Sequence, residues 1–554
     1  MSYSQHDWWR QAVVYQIYPK SFQDSGNKGT GDLQGIIQRL DYLQQLGVDA
    51  LWLTPIYSSP QIDNGYDIAD YYAIDPAFGS MADFEQLVSA CQQRGLHIIM
   101  DMVFNHTSTE HIWFKTAQRD PHSRFRDFYI WRDPVNGKEP NNWQSKFGGN
   151  AWALDQNSGQ YYLHLFSEQQ ADLNWENPEV RAEIKKVLHF WADKGVDGFR
   201  LDVINLISKQ QDFCDDFTGD GRRFYTDGPR VHDYLQELSR DVFVPHHCMT
   251  VGEMSSTTLA HCQQYSQQDG RELSMVFNFH HLKVDYPNGE KWQLAAPDFI
   301  ELKKIFAEWQ NGLHQQGWSA LFWCNHDQPR IVSRFGHEGE YREKSAKMLA
   351  TVLHMLQGTP YIYQGEEIGM TNPHFTQIDD YRDVESLNLY LAHQVQGVAT
   401  EETLQTLAAR SRDNSRTPMQ WDASTGAGFS QGTPWIPLSD NHAQINVTNA
   451  LADKTSVFYH YQQLIQLRKQ YPIIVEGNYQ DQLPNHPTLW CYQRQHGEQK
   501  LLVVANLSAT ATTLELPDTW QHTDSQCLIH NETSLPELCN RDLQPYEVMV
   551  WLHS

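Results

Sequence analysis

Basic charge is scarce in this chain. Its 554 residues carry 42 Lys and Arg against 68 Asp and Glu, a formal net charge of −26. That argues against a nucleic-acid partner, whose phosphates need a basic surface. Any anionic substrate must be held by a local group of cations against the overall field. Cysteine is sparse. Cys91, Cys214, Cys248, Cys262, Cys324, Cys491, Cys527 and Cys539 form no CxxC pair and no regular framework, so buried free thiols and a cytoplasmic setting are expected. No apolar run approaches membrane-spanning length, and MSYSQHDWWRQ lacks a basic segment followed by an apolar one. A soluble monomer with no membrane partner is expected. HExxH, paired-Cys zinc patterns, P-loops, internal repeats and low-complexity tracts are all missing, and no cofactor is expected.

What the chain does have is apolar bulk in a regular arrangement. Hydrophobic residues make up 40% and aromatics 12%, enough for a large core. A minority of the 18 Trp and 26 Tyr are expected to line a sugar site. Eight β-branched-rich runs recur, each closed by polar, Gly or Pro residues: 13–18, 48–54, 96–103, 196–202, 248–253, 273–279, 318–324 and 359–365. Stretches with helical spacing lie between most of them, such as 33–47, 81–95 and 180–195. This alternation predicts an α/β fold, a (β/α)₈ barrel. The barrel is expected over 1–103 and 175–479. An inserted subdomain over 104–174 contains the Trp-, Asn- and Gly-rich NNWQSKFGGNAW, and a second insertion falls at about 370–430. Short alternating strands over 480–554 predict a C-terminal antiparallel β-sandwich domain.

Three of the runs end in, or lead directly to, an acid: GFRLD at Asp202, VGE at Glu253 and CNHD at Asp327. In a parallel barrel such residues meet at one rim. Retaining cleavage of a glycosidic bond needs a nucleophilic carboxylate, a protonated carboxyl and further negative charge beside an oxocarbenium-like transition state. Arg200 lies two residues before Asp202, on the same side of the strand, and is expected to hold it ionised. Glu253 is expected to be the acid/base, its pKa raised by burial and acidic neighbours. Asp327 is expected to stabilise positive charge on the sugar.

DMVFNH (Asp101, Asn105, His106), GFRLDVI, the Glu253 segment and NHD (His326), in this order, resemble the α-amylase superfamily of glycoside hydrolases. The resemblance spans nearly the whole chain. It implies that Asp202, Glu253 and Asp327 are the catalytic residues and that His106 and His326 bond hydroxyls of the cleaved sugar. NGYDIADYY and SRDNSRTPMQW are similar to the oligo-1,6-glucosidase branch. There the implied pair closing the pocket around a terminal glucose is Asp67 and Arg412, which implies exo action. Val203 after the nucleophile and Phe166 as an aromatic packing on the glucose follow from the same resemblance.

Within that branch, WWRQAVVYQIYPKSFQD, GDGRRFYTDGPR and FNFHHLKVDYPNGEKW resemble the enzymes of a phosphorylated disaccharide, α,α-trehalose 6-phosphate. Lys283 and Lys291 are the implied phosphate cations, with Arg222, Arg223 and Arg334 behind them. Isomaltose-type oligosaccharides are the alternative substrates. A sucrose-isomerising relative would carry an RLDRD-type string where this chain reads IVSRFGHEGE, and an inactive transporter partner would lack the acids. Relatives often have a calcium loop of the type DSNGDGIGD. Here DSGNKGTGD keeps Asp24 and Asp32 but places Gly26 and Lys28 where oxygen ligands would stand, so no metal is expected there.

Overall fold

In the computed structural model, which describes residues 7–516, 518–520 and 525–553, the eight apolar runs form one parallel sheet. The strands are β1 (Val14–Ile17), β2 (Ala50–Leu53), β3 (His97–Val103), β4 (Gly198–Asp202), β5 (Met249–Glu253), β6 (Met275–Phe277), β7 (Ala320–Leu321) and β8 (Thr359–Tyr363). Their spatial order is β6-β5-β4-β3-β2-β1-β8-β7. A parallel bridge between Val276 and Ser319, the residue before β7, joins the two edges and closes the barrel. The strands are buried on both faces, by each other's side chains inside and by helices outside. This is why they read as nearly continuous apolar runs.

The connecting helices carry their own start signals. Ser80 and Asp83 form a reciprocal capping box at Met81–Gln92. Asn177 caps Pro178–Asp193, with Pro at the first position. The 33–47 run is broken rather than continuous, into Leu33–Gln38 and Leu40–Leu46. Arg39 stands at the break. Its guanidinium lies 4.0 Å over the Trp421 ring and its Nε donates to Gln23 Oε1 at 2.7 Å.

Between β3 and Pro178 the chain builds two small antiparallel sheets, one pairing 106–108 with 170–172 and one of 131–132, 161–163 and 152–154. Gly221, after β4, locks a neighbouring loop against this region. Its φ is +91° and an added Cβ would lie 2.4 Å from Trp143 Cγ, so only glycine fits. After β8 come the helices Val384–Gln396, Thr400–Arg410 and Asp413–Arg416.

The last part is a five-stranded antiparallel sheet, in spatial order 478–481, 489–496, 499–506, 548–553 and 526–530. Strict alternation divides its residues. Leu489, Cys491, Leu502 and Val504 pack beneath a two-stranded sheet of 512–514 and 541–543, while Trp490, Tyr492, Leu501 and Val503 join the main core. All eight cysteines are free thiols, four of them buried and Cys214 exposed. Among the described residues no helix is long and apolar enough to cross a membrane.

Candidate active site

The C-terminal ends of β3, β4 and β5 converge on one guanidinium. Arg200 Nη1 donates to Asp101 Oδ1 at 2.7 Å and to Asp202 Oδ1 at 2.6 Å, and Nη2 lies 2.8 Å from Glu253 Oε2. Glu253 Oε2 also accepts from the backbone N–H of Val203 at 3.1 Å. Val203 adopts φ +35°, ψ +40°, a left-handed conformation that costs a β-branched residue energy and turns its N–H toward the acid. Burial pushes Asp202 well above the usual carboxylate range; Arg200 opposes this, and the charges of Glu253 and Asp101 add to it. Burial likewise raises Asp101 to about 6 against the pull of Arg200. Arg200 is thus shared among three acids; its place two residues before Asp202 gives no sign that it also serves Asp101 and Glu253.

Asp327 sits in a contrasting setting. Arg416 Nη2 donates to its Oδ1 at 2.6 Å and Arg412 Nη1 lies 3.4 Å from the same atom. Burial acts to raise this carboxyl, but the charges of Arg412 and Arg416 and the hydrogen bond from Arg416 overcome it and hold the group far below the usual range. Asp327 is thus a fixed negative charge. Arg416 was not singled out from sequence, although it follows Arg412 by four residues, one helical turn, in SRDNSR.

The expected pairing of Arg412 with Asp67 requires correction. Arg412 Nη2 lies 3.2 Å from Asp63 Oδ1 and 2.5 Å from Asp383 Oδ1. Asp67 instead accepts from Ile62 N at 2.9 Å, Asp63 N at 3.1 Å and Ser59 Oγ at 3.0 Å, holding the loop that presents Asp63. Burial raises Asp63 to about 6, with Arg412 and Arg416 opposing.

Both histidines are neutral, lowered by burial to about 4 for His106 and about 3 for His326. His106 Nε2 donates to the Tyr66 carbonyl at 3.0 Å. His326 Nδ1 accepts from Gln16 Nε2 at 2.8 Å, so its proton is on Nε2. That nitrogen is buried with no hydrogen-bond partner among the described residues and lies 3.5 Å from Asp327 Oδ2. It is a donor left for a ligand. Its ring stacks on Tyr66 at 5.2 Å. Phe166 packs 5.1 Å from the His106 ring.

These groups border a cavity of about 320 Å³ whose walls include Asp63, His106, Phe166, Asp202, Glu253, Asp327 and Arg412. Lys146, Lys283 and Lys291 line it as well. Lys283 Nζ has no hydrogen bond or ion pair among the described residues, and burial and then Arg222 lower its pKa. Lys146, within the NNWQSKFGG string but not singled out there, donates to Ser255 Oγ at 3.1 Å and lies 5.6 Å from the centre of the Tyr225 ring, with no ion pair among the described residues. Burial brings it to about 8, helped by Arg222 and Lys283. Lys291 is 2.5 Å from Glu385 Oε2, so its charge is taken. Arg222 and Arg223 pair with Asp220 and Asp216 at 2.9 and 3.1 Å. The charge of Arg334 is taken: with its side chain buried, it grips both oxygens of Asp285 at 2.8 and 2.9 Å.

Asp24 and Asp32, in the loop that departs from a calcium pattern, spend their oxygens on protein donors. Asp24 accepts from Gly26 N, Gly29 N and Ser430 Oγ, and Asp32 from Gly35 N and Ser25 Oγ. This donor set does not suit a calcium ion.

Known proteins bear on this site. Residues 16–477 match the model of the alpha amylase catalytic domain, and residues 489–550 that of the alpha-amylase SusG C-terminal domain. The chain is 62% identical to the trehalose-6-phosphate hydrolase of Escherichia coli K12, over 98% of each chain. It is 50% identical to the oligo-1,6-glucosidase of Parageobacillus thermoglucosidasius, again over 98% of each. The crystal structure of the trehalose-6-phosphate hydrolase of Bacillus licheniformis superposes with a TM-score of 0.96 at 57% identity, covering 99% of this chain and 100% of that one. With its acids on the ends of barrel strands and this likeness along its length, the chain belongs to the α-amylase family of glycoside hydrolases.

Proposed function

We propose that the chain is a retaining exo-α-glucosidase that cleaves α,α-trehalose 6-phosphate into glucose and glucose 6-phosphate. The observation that carries the substrate is the pair of unspent cations, Lys283 and Lys146, in the wall of a cavity otherwise dominated by acids. A neutral disaccharide would leave both ammonium groups without a counter-charge; a phosphate dianion supplies one. The likeness to trehalose-6-phosphate hydrolases over the full length supports the same reading.

In this reading Arg412 and Asp63 close the cavity around the terminal glucose. Asp202 attacks its anomeric carbon while the proton held among the acids around Arg200 is delivered through Glu253 to the leaving oxygen. Glucose 6-phosphate departs toward Lys146 and Lys283. Glu253, now a carboxylate, takes a proton from water, which releases glucose with retained configuration. One guanidinium gripping both Asp202 and Glu253 supports the short carboxyl separation that retention needs, roughly 5–5.5 Å. The fixed charge of Asp327 and the Nε2 proton of His326 fit the developing oxocarbenium and a sugar hydroxyl.

The test is kcat/KM for trehalose 6-phosphate, trehalose and isomaltose. A preference of several orders of magnitude for the phosphorylated sugar, reduced in Lys283→Ala and Lys146→Met, is expected. Faster cleavage of isomaltose would assign the chain to oligo-1,6-glucosidase activity and overturn the reading.

A further inference from the structure

Asp202 and Glu253 end neighbouring strands, and a side chain outside the cavity joins the segments that follow them. Backbone pairing of β4 with β5 runs in register as far as Leu201 and Gly252, one residue short of the two acids. Val203 then turns left-handed and Ile204–Leu206 forms a short 3₁₀ turn. There the Asn205 amide takes over from the backbone. Its Oδ1 accepts from Ser255 N at 3.0 Å, and its Nδ2 donates to Ser255 O at 2.9 Å and to Asp227 Oδ1 at 3.0 Å. Asn205 is fully buried and not part of the cavity wall, to which Val203 and Ser255 both belong. We propose that Asn205 is a positioning residue that holds Glu253 in line to protonate the leaving group, an inference that rests on the reading of Glu253 as the acid.

The network fixes the amide in one orientation. Turned over, it would set N–H against N–H at Ser255 and oxygen against both a carbonyl and a carboxylate. Asp227 is itself held, by Tyr265 OH at 2.6 Å and His261 Nδ1 at 3.0 Å, and its N–H donates to Asn205 O at 2.9 Å. The amide is therefore an anchor rather than a passenger of the loop.

Asn205 lies three residues after Asp202, and Ser255 two after Glu253, so its two bonds to Ser255 tie together the exits of the two strands. Both bonds that hold the Glu253 carboxylate, from Arg200 and from Val203 N, reach Oε2. The aim of Oε1 then depends on where the main chain of this segment lies. A displacement of about 1 Å in a reacting group costs about 100-fold in rate. Loss of the clamp falls on protonation of a poor leaving group. Attack by Asp202, on the β4 side, is spared.

The test compares kcat/KM for two uncharged donors. The leaving group of α-glucosyl fluoride needs little protonation; that of phenyl α-glucoside needs it. Asn205→Ala is expected to lower kcat/KM by roughly 10- to 100-fold for the phenyl glucoside and by less than about threefold for the fluoride. Glu253→Gln, the reference, is expected to show the same selectivity with a larger loss. Asn205→Asp keeps the size and the acceptor for Ser255 N but sets a charge against the Ser255 carbonyl and Asp227. It is expected to discriminate in the same sense, and it decides the matter should the alanine variant not fold, as read from thermal melts. Equal losses on both donors in a folded Asn205 variant, or no loss on either, would overturn the proposal. Neither donor carries phosphate, so the result is independent of the natural sugar. If Glu253→Gln itself fails to discriminate, the acid assignment falls and this inference with it; if it discriminates and the folded Asn205 variants do not, only this inference fails.

Discussion

The ammonium of Lys209 lies 2.7 Å from Asp172 Oδ2 and donates to Asn105 Oδ1 at 2.8 Å, all three side chains being buried. Asp172 belongs to the insertion after β3, Lys209 to the segment after β4, and Asn105 Nδ2 lies 3.2 Å from His106 Nδ1. One buried cation therefore fastens the insertion to the barrel beside a residue of the sugar site. In Lys209→Met, Asp172 keeps a buried charge without its partner, at a cost of about 3–5 kcal/mol. A lower Tm and a weaker kcat/KM are expected. Lys209→Met combined with Asp172→Asn removes the stranded charge and is expected to recover part of the Tm; a double variant no more stable than the single one would contradict this account.

Asp63 and Asp67 separate by function. Asp63→Asn removes one partner of Arg412 at the proposed glucose-holding end, Asp383 remaining, and is expected to lower kcat/KM by about 100-fold with little change in Tm. Asp67→Asn weakens a loop anchored by three donors and is expected to lower Tm first. The reverse pattern, read from steady-state kinetics and thermal melts of the two proteins, would restore Asp67 to the pocket.

Arg200 pulls down the proton affinity of Asp202 and Asp101, against burial. Its loss in Arg200→Met removes that pull, so both carboxyls titrate higher. Asp202 must be ionised to attack, and the acid limb of the pH–rate profile is expected to move to higher pH. A fall in kcat of about 100- to 1000-fold accompanies it, with partial recovery in Arg200→Lys. An unmoved acid limb would show that another group sets it.

Glu366 offers a pH test away from the site. Its Oε1 accepts from Tyr461 OH at 2.7 Å while Oε2 is buried without a partner among the described residues. Burial, with the charge of Glu367 adding to it, raises the carboxyl to about 8. The unfolded chain releases this proton near about 4.3, whereas the folded chain keeps it until about 8. The unfolded state thus binds fewer protons across that window, and stability falls as pH rises through it. Glu366→Gln abolishes the loss. Its Tm advantage over the parent is expected to grow from pH 5 to pH 8, to the equivalent of about 2–4 kcal/mol near neutrality. Parallel Tm curves for the two proteins would rule this out.

Much of the molecule was legible in the sequence because the deciding forces are local. Each barrel strand is a run of apolar residues closed by a breaker. Each of three acids terminates or follows such a run, so Asp202, Glu253 and Asp327 fall on one rim once the barrel is recognised. The alternation in 489–506 likewise assigns one face of the last sheet to each of two cores.

Charge partners were not legible. Asp63 and Asp67 are the same residue type within one DNGYD string, and only the path of the loop decides which one meets Arg412. Arg334 looked like a free cation until folding brought Asp285 against it. Lys146, in a segment without helical or strand period, met Lys283 and Arg222 only through the insertion and a loop that Gly221 allows to lie flat on Trp143. The sequence by itself determined the barrel, its order and the three acids, since hydrophobic period acts over a few neighbouring residues. Only the tertiary structure decided which cations are spent and which remain for a substrate, because pairing in a buried site depends on distances of a few ångströms between segments far apart in the chain.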